Sequence, residues 1–169
     1  MKSEFNNYIR RYNTDLTRLC VSLCGNISDA EDLLQDTWLK ALRYYKKYDR
    51  ELPFDKWLFS ICVNTYKNSM NSAFLKRRKL FQNDEEERLF FSSIPEANDS
   101  TIDNYVELHK AISLLSKKHR IVVVLYYFKD YSIREISQII GIPVGTVKSR
   151  LSVAREELKR RLTNEQKSQ

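Results

Sequence analysis

Thr146, Lys148, Ser149, Arg150 and Arg155 crowd hydroxyl, ammonium and guanidinium groups into one short stretch, VGTVKSRLSVAR. The chemistry they suit is recognition: arginine and lysine donate to base edges and phosphate oxygens in a major groove, and hydroxyls reach either. Val147 and Leu151 supply a buried stripe for the same helix, and Val144 and Gly145 open it. The residues before it look built to aim it. Ser132 and Glu135 form an S-x-x-E capping box, which starts a helix whose core face is Ile136, Ile139 and Ile140. Gly141 suits the left-handed position that ends that helix, and Pro143 lacks the amide proton a helix interior needs, so the next helix begins near Val144. Small Ser137, Gly141 and buried Val147 recur at the spacing of a helix-turn-helix, here spanning Ile133 to Leu162. An ordinary helical hairpin with a solvated basic face would carry the same residue types, and many unrelated regulators share this element.

The rest of the chain must position that reader. With 169 residues there is room for one or two small domains. The net charge of +7 is unevenly placed. Residues 1–80 hold 15 Lys and Arg against 9 Asp and Glu, residues 81–104 hold 1 against 7, and residues 105–169 hold 13 against 6. Two basic blocks flanking an acidic strip suggest two polyanion-binding domains and a linker, a pattern that also fits RNA or an anionic membrane surface. No stretch approaches the ~20 apolar residues that span a bilayer, and the amino terminus lacks a signal-peptide pattern, so stable membrane insertion is not expected and the expected location is cytoplasmic. Cys20, Cys24 and Cys62 lack paired C-x-x-C spacing, and Cys20 continues an apolar helix face. With only three glycines there is no phosphate-cradling loop. No enzyme, metal or cofactor is expected.

Phe5, Tyr8, Ile9, Tyr12, Leu16, Leu19, Cys20 and Leu23 fall at helical spacing and predict a first helix that stops near Gly25. Ser28 and Glu31 suggest a capping box for a second helix, with Ala30, Leu33, Leu34, Trp38, Ala41 and Tyr45 on one side and Glu31, Asp32, Gln35, Asp36, Lys40 and Arg43 on the other. Tyr48 to Asp55 contains Pro53 and reads as a loop before a third helix through Trp57, Leu58, Ile61, Cys62 and Thr65, ending in the basic run Lys76 to Lys79. Residues 83–104 read as linker, with room for a short helix around Glu85 to Phe91. Helical spacing resumes at Tyr105, Leu108, Ala111, Ile112 and Leu115. IVVVLYYF, Ile121 to Phe128, has the composition of a buried strand, but no partner strand is evident and Ser116 can cap a helix, so helix is expected. The fold class is therefore all-α: two small helical domains, 1–80 and 105–165, joined by a flexible acidic linker at 81–104, the second a four-helix unit containing the helix-turn-helix.

DAEDLLQDTWLKAL at Asp29 to Leu42, FDKWLFSICVNTYKN at Phe54 to Asn68 and the terminal DNA reader, in that order, make nearly the whole chain resemble the extracytoplasmic-function sigma factors of bacteria. The resemblance implies an alternative sigma factor that binds core RNA polymerase, directs promoter-specific initiation and has no catalytic site. It implies docking of Asp32, Leu34, Gln35, Asp36 and Trp38 on the β′ clamp helices, with further contact to the β subunit. Acids that merely solvate the helix and favour its amino-terminal dipole are the bland alternative. It implies opening and reading of the −10 element by Tyr48, Phe54, Lys56, Asn64, Lys67, Asn68 and Asn71, with Trp57 beside them. Phe54 and Trp57 are equally open to being core anchors, the role expected for Trp57. Asn68 and Asn71 depart from the acidic and basic residues common at those family positions, so base preference does not transfer through them. Reading of the −35 element falls to Val144, Gly145, Thr146, Lys148, Ser149, Arg150 and Arg155. An anti-sigma factor is an implied partner, together with promoter DNA. The two elements lie about 25 base pairs apart, roughly 85 Å at ~3.4 Å per step. About 20 extended linker residues reach roughly 70 Å, to which each domain adds ~13 Å. Asp84 to Glu87 either enter a positively lined polymerase channel or simply solubilise the linker. The rival reading is a stand-alone helix-turn-helix regulator that binds a duplex operator unaided.

Overall fold

The computed structural model describes residues 2–69 and 99–167, and within them every regular element is helical. In chain order these are α1 (Lys2–Cys24), α2 (Ile27–Tyr44), a 3-10 turn (Tyr45–Lys47), α3 (Phe54–Ser69), α4 (Asp99–Ser113), α5 (Lys117–Val123), a π-helical continuation (Val124–Phe128), α6 (Ile133–Ile140) and α7 (Val144–Lys167). The all-α expectation holds.

The first three helices pack as one group. α1 buries Phe5, Leu16, Leu19, Cys20 and Leu23, much as the spacing predicts, and stops at Gly25, whose φ of 74° is left-handed. α2 follows almost at once, and its cap differs from expectation. Asn26, in extended backbone, accepts from the Asp29 amide at 2.8 Å, while its own side-chain amide donates to the Asp29 carboxylate at 2.6 Å. Ser28 is already inside the helix. The Ser28 and Glu31 pair fitted the capping pattern, but with Gly25 ending α1 the chain turns at Asn26, which puts Asp29 three residues in. α2 buries Ala30, Leu33, Ala41 and the polar Thr37, whose hydroxyl donates to the Leu33 carbonyl at 2.7 Å. Pro53 accepts from the Trp57 amide and leads into α3. Residues 70–98, including the Lys76 to Lys79 run, the short helix expected near Glu85 to Phe91 and the acids Asp84 to Glu87, lie outside the described residues.

The second group starts earlier than Tyr105. α4 begins at Asp99, inside the span expected to be linker, because its first turns are polar and carry no apolar period to read. Ser116 stands at the N-cap of α5 but its hydroxyl makes no cap bond. The IVVVLYYF run is helical, and Ile121 to Leu125 are all buried. A helix apolar all round is one enclosed on all sides, and this one packs on α7 and, through its π-helical end, on α1 of the other group. The strand-like composition reflects that enclosure. α3 likewise packs on α6, so one continuous hydrophobic core runs through both groups.

Candidate nucleic-acid and docking surfaces

The helix-turn-helix forms as its local chemistry dictates. Ser132 Oγ accepts from the Glu135 amide at 3.2 Å, and the Ser132 amide donates to Glu135 Oε2 at 2.8 Å, a reciprocal capping box. Gly141 adopts φ 69° and ψ 39°, its amide donates to the Ser137 carbonyl at 2.9 Å, and Ile142 reaches the same carbonyl at 3.2 Å. The Ser137 hydroxyl closes the turn on the Ile142 carbonyl. Pro143 then accepts from the Thr146 and Val147 amides to open α7. Val147, Leu151, Ala154 and Leu158 anchor α7 in the core.

That anchoring decides what the opposite face shows. Val144, Gly145, Lys148, Ser149 and Arg155 are exposed, and Thr146 and Arg150 half-buried. The Ser149 hydroxyl rests on the Thr146 carbonyl at 3.1 Å. Arg155 is held at the edge of this face: its Nε donates to the Tyr127 hydroxyl at 2.6 Å and its guanidinium lies 5.2 Å from the Tyr126 ring centre. The Tyr127 bond favours the charged form and lifts the Arg155 pKa, so the side chain presents a fixed cation rather than a free one.

On α2, Asp32, Gln35 and Asp36 are exposed, while Leu34 and Trp38 are half-buried. Trp38 is held by its indole Nε1, which donates to Asn13 Oδ1 at 3.0 Å, and it meets the Phe5 ring edge-on at 5.9 Å. The structure adds Leu39, 64% exposed, and Leu42, 52% exposed, on the same helix. Leu39 lies three and four residues after Asp36 and Gln35, so acid, amide and bare apolar carbon share one stripe. The sequence signal for Leu39 was present in that spacing.

Around α3 the aromatic residues form a layered cluster. Phe54 is buried and stacks on Tyr8 with ring centres 3.9 Å apart, so it takes the core role of the two left open for it and its ring does not face solvent. Trp57, expected as the core anchor, is half-buried and lies 4.7 Å from Tyr48 and 5.4 Å from Phe54. Asn64 and Asn68 are exposed. Lys56 and Lys67 are engaged by the other helix group: Lys56 Nζ sits 2.6 Å from Glu135 Oε1, and Lys67 Nζ donates to the Ile140 carbonyl at 3.2 Å. Burial, with Arg150 nearby, lowers the Lys67 pKa, and the bond from Lys56 lowers that of Glu135. Asn71 lies outside the described residues.

Cys20, Cys24 and Cys62 are free, buried thiols; Cys20 and Cys62 approach to 3.8 Å, and burial pushes Cys20 and Cys24 up. Among the described residues, no helix is long and apolar enough to cross a membrane.

Comparison with known proteins gives two family matches in one chain: Sigma-70 region 2 over residues 8–78 and Sigma-70 region 4 over residues 105–158. The chain is 30% identical to the ECF RNA polymerase sigma factor SigL of Mycobacterium tuberculosis over 140 residues, covering 82% of this chain and 77% of that protein. It is 29% identical to the ECF RNA polymerase sigma factor SigW of Bacillus subtilis over 168 residues, covering 94% and 88%. Its fold is similar to that of the sigma factor RpoE of Bartonella quintana, solved in complex with the anti-sigma factor NepR, with a TM-score of 0.73, 26% identity, and coverage of 95% and 97%.

Proposed function

The chain belongs to the extracytoplasmic-function sigma factors, and from that premise we propose how its surfaces divide the work of initiation. It is an alternative sigma factor: it binds core RNA polymerase and directs promoter-specific transcription, a non-enzymatic task. The residues before the acidic strip, 1–80, carry docking and −10 recognition, and residues 105–165 carry −35 recognition. On α2 the exposed Asp32, Gln35, Asp36 and Leu39 stripe, flanked by Leu34 and Trp38, docks on a helical, basic polymerase surface, the β′ clamp helices. Charge speeds encounter there and desolvated apolar carbon slows release. Lys56, Asn64, Lys67 and Asn68, with Tyr48 and Trp57 as aromatic walls, meet the opened −10 strand, where rings replace lost base stacking. Thr146, Lys148, Ser149 and Arg150 read the −35 groove, and Arg155, pinned against Tyr127, holds phosphate.

The observation that carries this reading is the presence, in one chain, of a correctly capped helix-turn-helix and a separate acidic and apolar helix stripe that has no use in DNA contact. A stand-alone regulator needs only the first. Electrophoretic titration of promoter DNA with the purified chain, with and without core polymerase, separates the two. The sigma reading predicts a specific complex only when core enzyme is present; tight operator-like binding by the chain alone contradicts it. An anti-sigma factor is the expected inhibitor, supported by the likeness to a sigma factor solved with one. The site of action is the cytoplasm, where that polymerase works.

A further inference from the structure

Val124–Phe128 turns as a π-helix, a rare geometry met mostly as a single turn, and it carries two tyrosines in succession. Its i→i+5 turn is wider than an α turn, so successive side chains diverge by a smaller angle and Tyr126 and Tyr127 stay side by side. Their rings meet edge-on at 4.9 Å. The segment has a firm base. Val124 and Leu125 are buried, the Phe128 ring lies 5.2 Å from that of His109, and the Tyr131 amide donates to the Leu125 carbonyl at 3.2 Å to close its end. Between those anchors Tyr127 is 50% exposed, so core packing does not call for an aromatic there.

Tyr127 meets Arg155 instead. Arg155 Nε donates to the Tyr127 hydroxyl at 2.6 Å, and the guanidinium lies 5.2 Å and 5.6 Å from the Tyr126 and Tyr127 ring centres. The terminal N–H groups of Arg155, a planar fork suited to phosphate, lie outside that bond. The hydroxyl has the complementary property: its oxygen accepts from Arg155, so its own O–H is left to donate to a third group. Fork and hydroxyl are thus two donors close enough to reach one anion together. An arginine already bracketed by two rings also loses less side-chain freedom when it binds. Arg155 follows Lys148 by seven residues, which puts both on one face of α7 about 10 Å apart along its axis. The first turns of such a helix meet base edges, and the phosphate wall of the groove lies further along.

We propose that Tyr127 is a DNA contact in its own right: its hydroxyl and the Arg155 fork clamp one backbone phosphate at the edge of the −35 element. The inference rests on the reading of α7 as the −35 helix and adds to it a residue from outside the helix-turn-helix. A phosphate clamp carries no sequence information, so it fixes the register in which Thr146, Lys148, Ser149 and Arg150 meet the bases.

The test uses the full chain bound to core polymerase and a duplex fragment carrying a start site that the reconstituted polymerase selects. Tyr127→Phe removes the hydroxyl and keeps the ring against Arg155, and Arg155→Ala removes the fork. Both positions are exposed, so melting temperature stays within ordinary surface-substitution limits. Tyr127→Phe weakens promoter binding about tenfold at every salt concentration, the scale of one hydrogen bond to a charged acceptor. Its salt dependence is unchanged, because a neutral hydroxyl releases no counterion, whereas Arg155→Ala lowers the salt slope by about one counterion. Methylphosphonate substitutions, each replacing one charged phosphate of the −35 half by a neutral one, reveal a position that weakens binding of the unaltered chain and at which the loss from Tyr127→Phe is less than additive. Unchanged affinity in Tyr127→Phe, or no position at which the two losses overlap, overturns the clamp. A salt slope shallower by about one counterion in Tyr127→Phe shows a hydroxyl that only steers Arg155 and overturns its direct contact. If the unaltered chain selects no promoter with core polymerase, the sigma reading fails instead, and the same Tyr127→Phe comparison with the chain alone on duplex DNA at low salt decides the clamp.

Discussion

Lys56 Nζ of α3 and Glu135 Oε1 of α6 meet at 2.6 Å, and the same Glu135 carboxylate accepts the Ser132 amide at 2.8 Å. One carboxylate thus caps the helix-turn-helix and tethers it to the other helix group. The two roles separate energetically. Both side chains are about a third exposed, 32% and 31%, so solvent screens the ion pair and it contributes at most about 1 kcal/mol.

Glu135→Ala should therefore lower stability by about 1 kcal/mol, mostly through the cap. Lys56→Ala alone should cost less. A double-mutant cycle by urea unfolding should return a coupling below about 1 kcal/mol; a larger value shows a seam more rigid than its exposure implies.

Charge reversal at Asp32 and Asp36 should weaken core polymerase binding by at least about tenfold while leaving the circular dichroism spectrum and melting temperature within ordinary surface-substitution limits. Leu39→Ala should weaken it further, because the exposed apolar carbon buries only on docking. Unchanged affinity in a folded variant removes α2 as the docking face.

Lys148→Ala with Arg150→Ala should reduce use of the −35 element more than polymerase binding. The dependence of promoter affinity on salt should become shallower by about two counterions if both contact phosphate, and less if either reads bases. Equal loss of both functions indicates misfolding.

The sequence exposed these two surfaces unequally. Cap, left-handed glycine and proline are local signals, so Ser132 to Leu151 was readable residue by residue. At the start of α2, Asn26 and Asp29 stand at the same spacing as Ser28 and Glu31, and only the end of α1 at Gly25 decides between the two caps. Leu39 sat at a readable spacing, but its exposure depends on where α1 and α3 pack. Arg120, in KKHR, carries no local signal for burial, which depends on α1 and α4 ending at the same place, a long-range coincidence with no sequence period.

His109 is 4% exposed, packed with its ring centre 5.2 Å from that of Phe128, and burial lowers its pKa to about 4. The unfolded chain takes up the proton near pH 6.5, before the folded chain does, so the contribution of neutral His109 is complete above about 6.5. It is lost as pH falls to about 4, a change of about 3 kcal/mol at ~1.4 kcal/mol per unit. Melting temperature followed by circular dichroism across that window should fall, and the fall should be shallower in His109→Leu. An identical slope in the variant assigns the acid sensitivity elsewhere.

This chain gives core polymerase its promoter choice, so transcripts made on total genomic DNA by purified core enzyme should depend on whether the chain is present. Start sites that appear only with the chain, share an upstream pair of elements and disappear with the Asp32 and Asp36 reversal are the predicted result. The same start sites at the same yield without the chain contradict it.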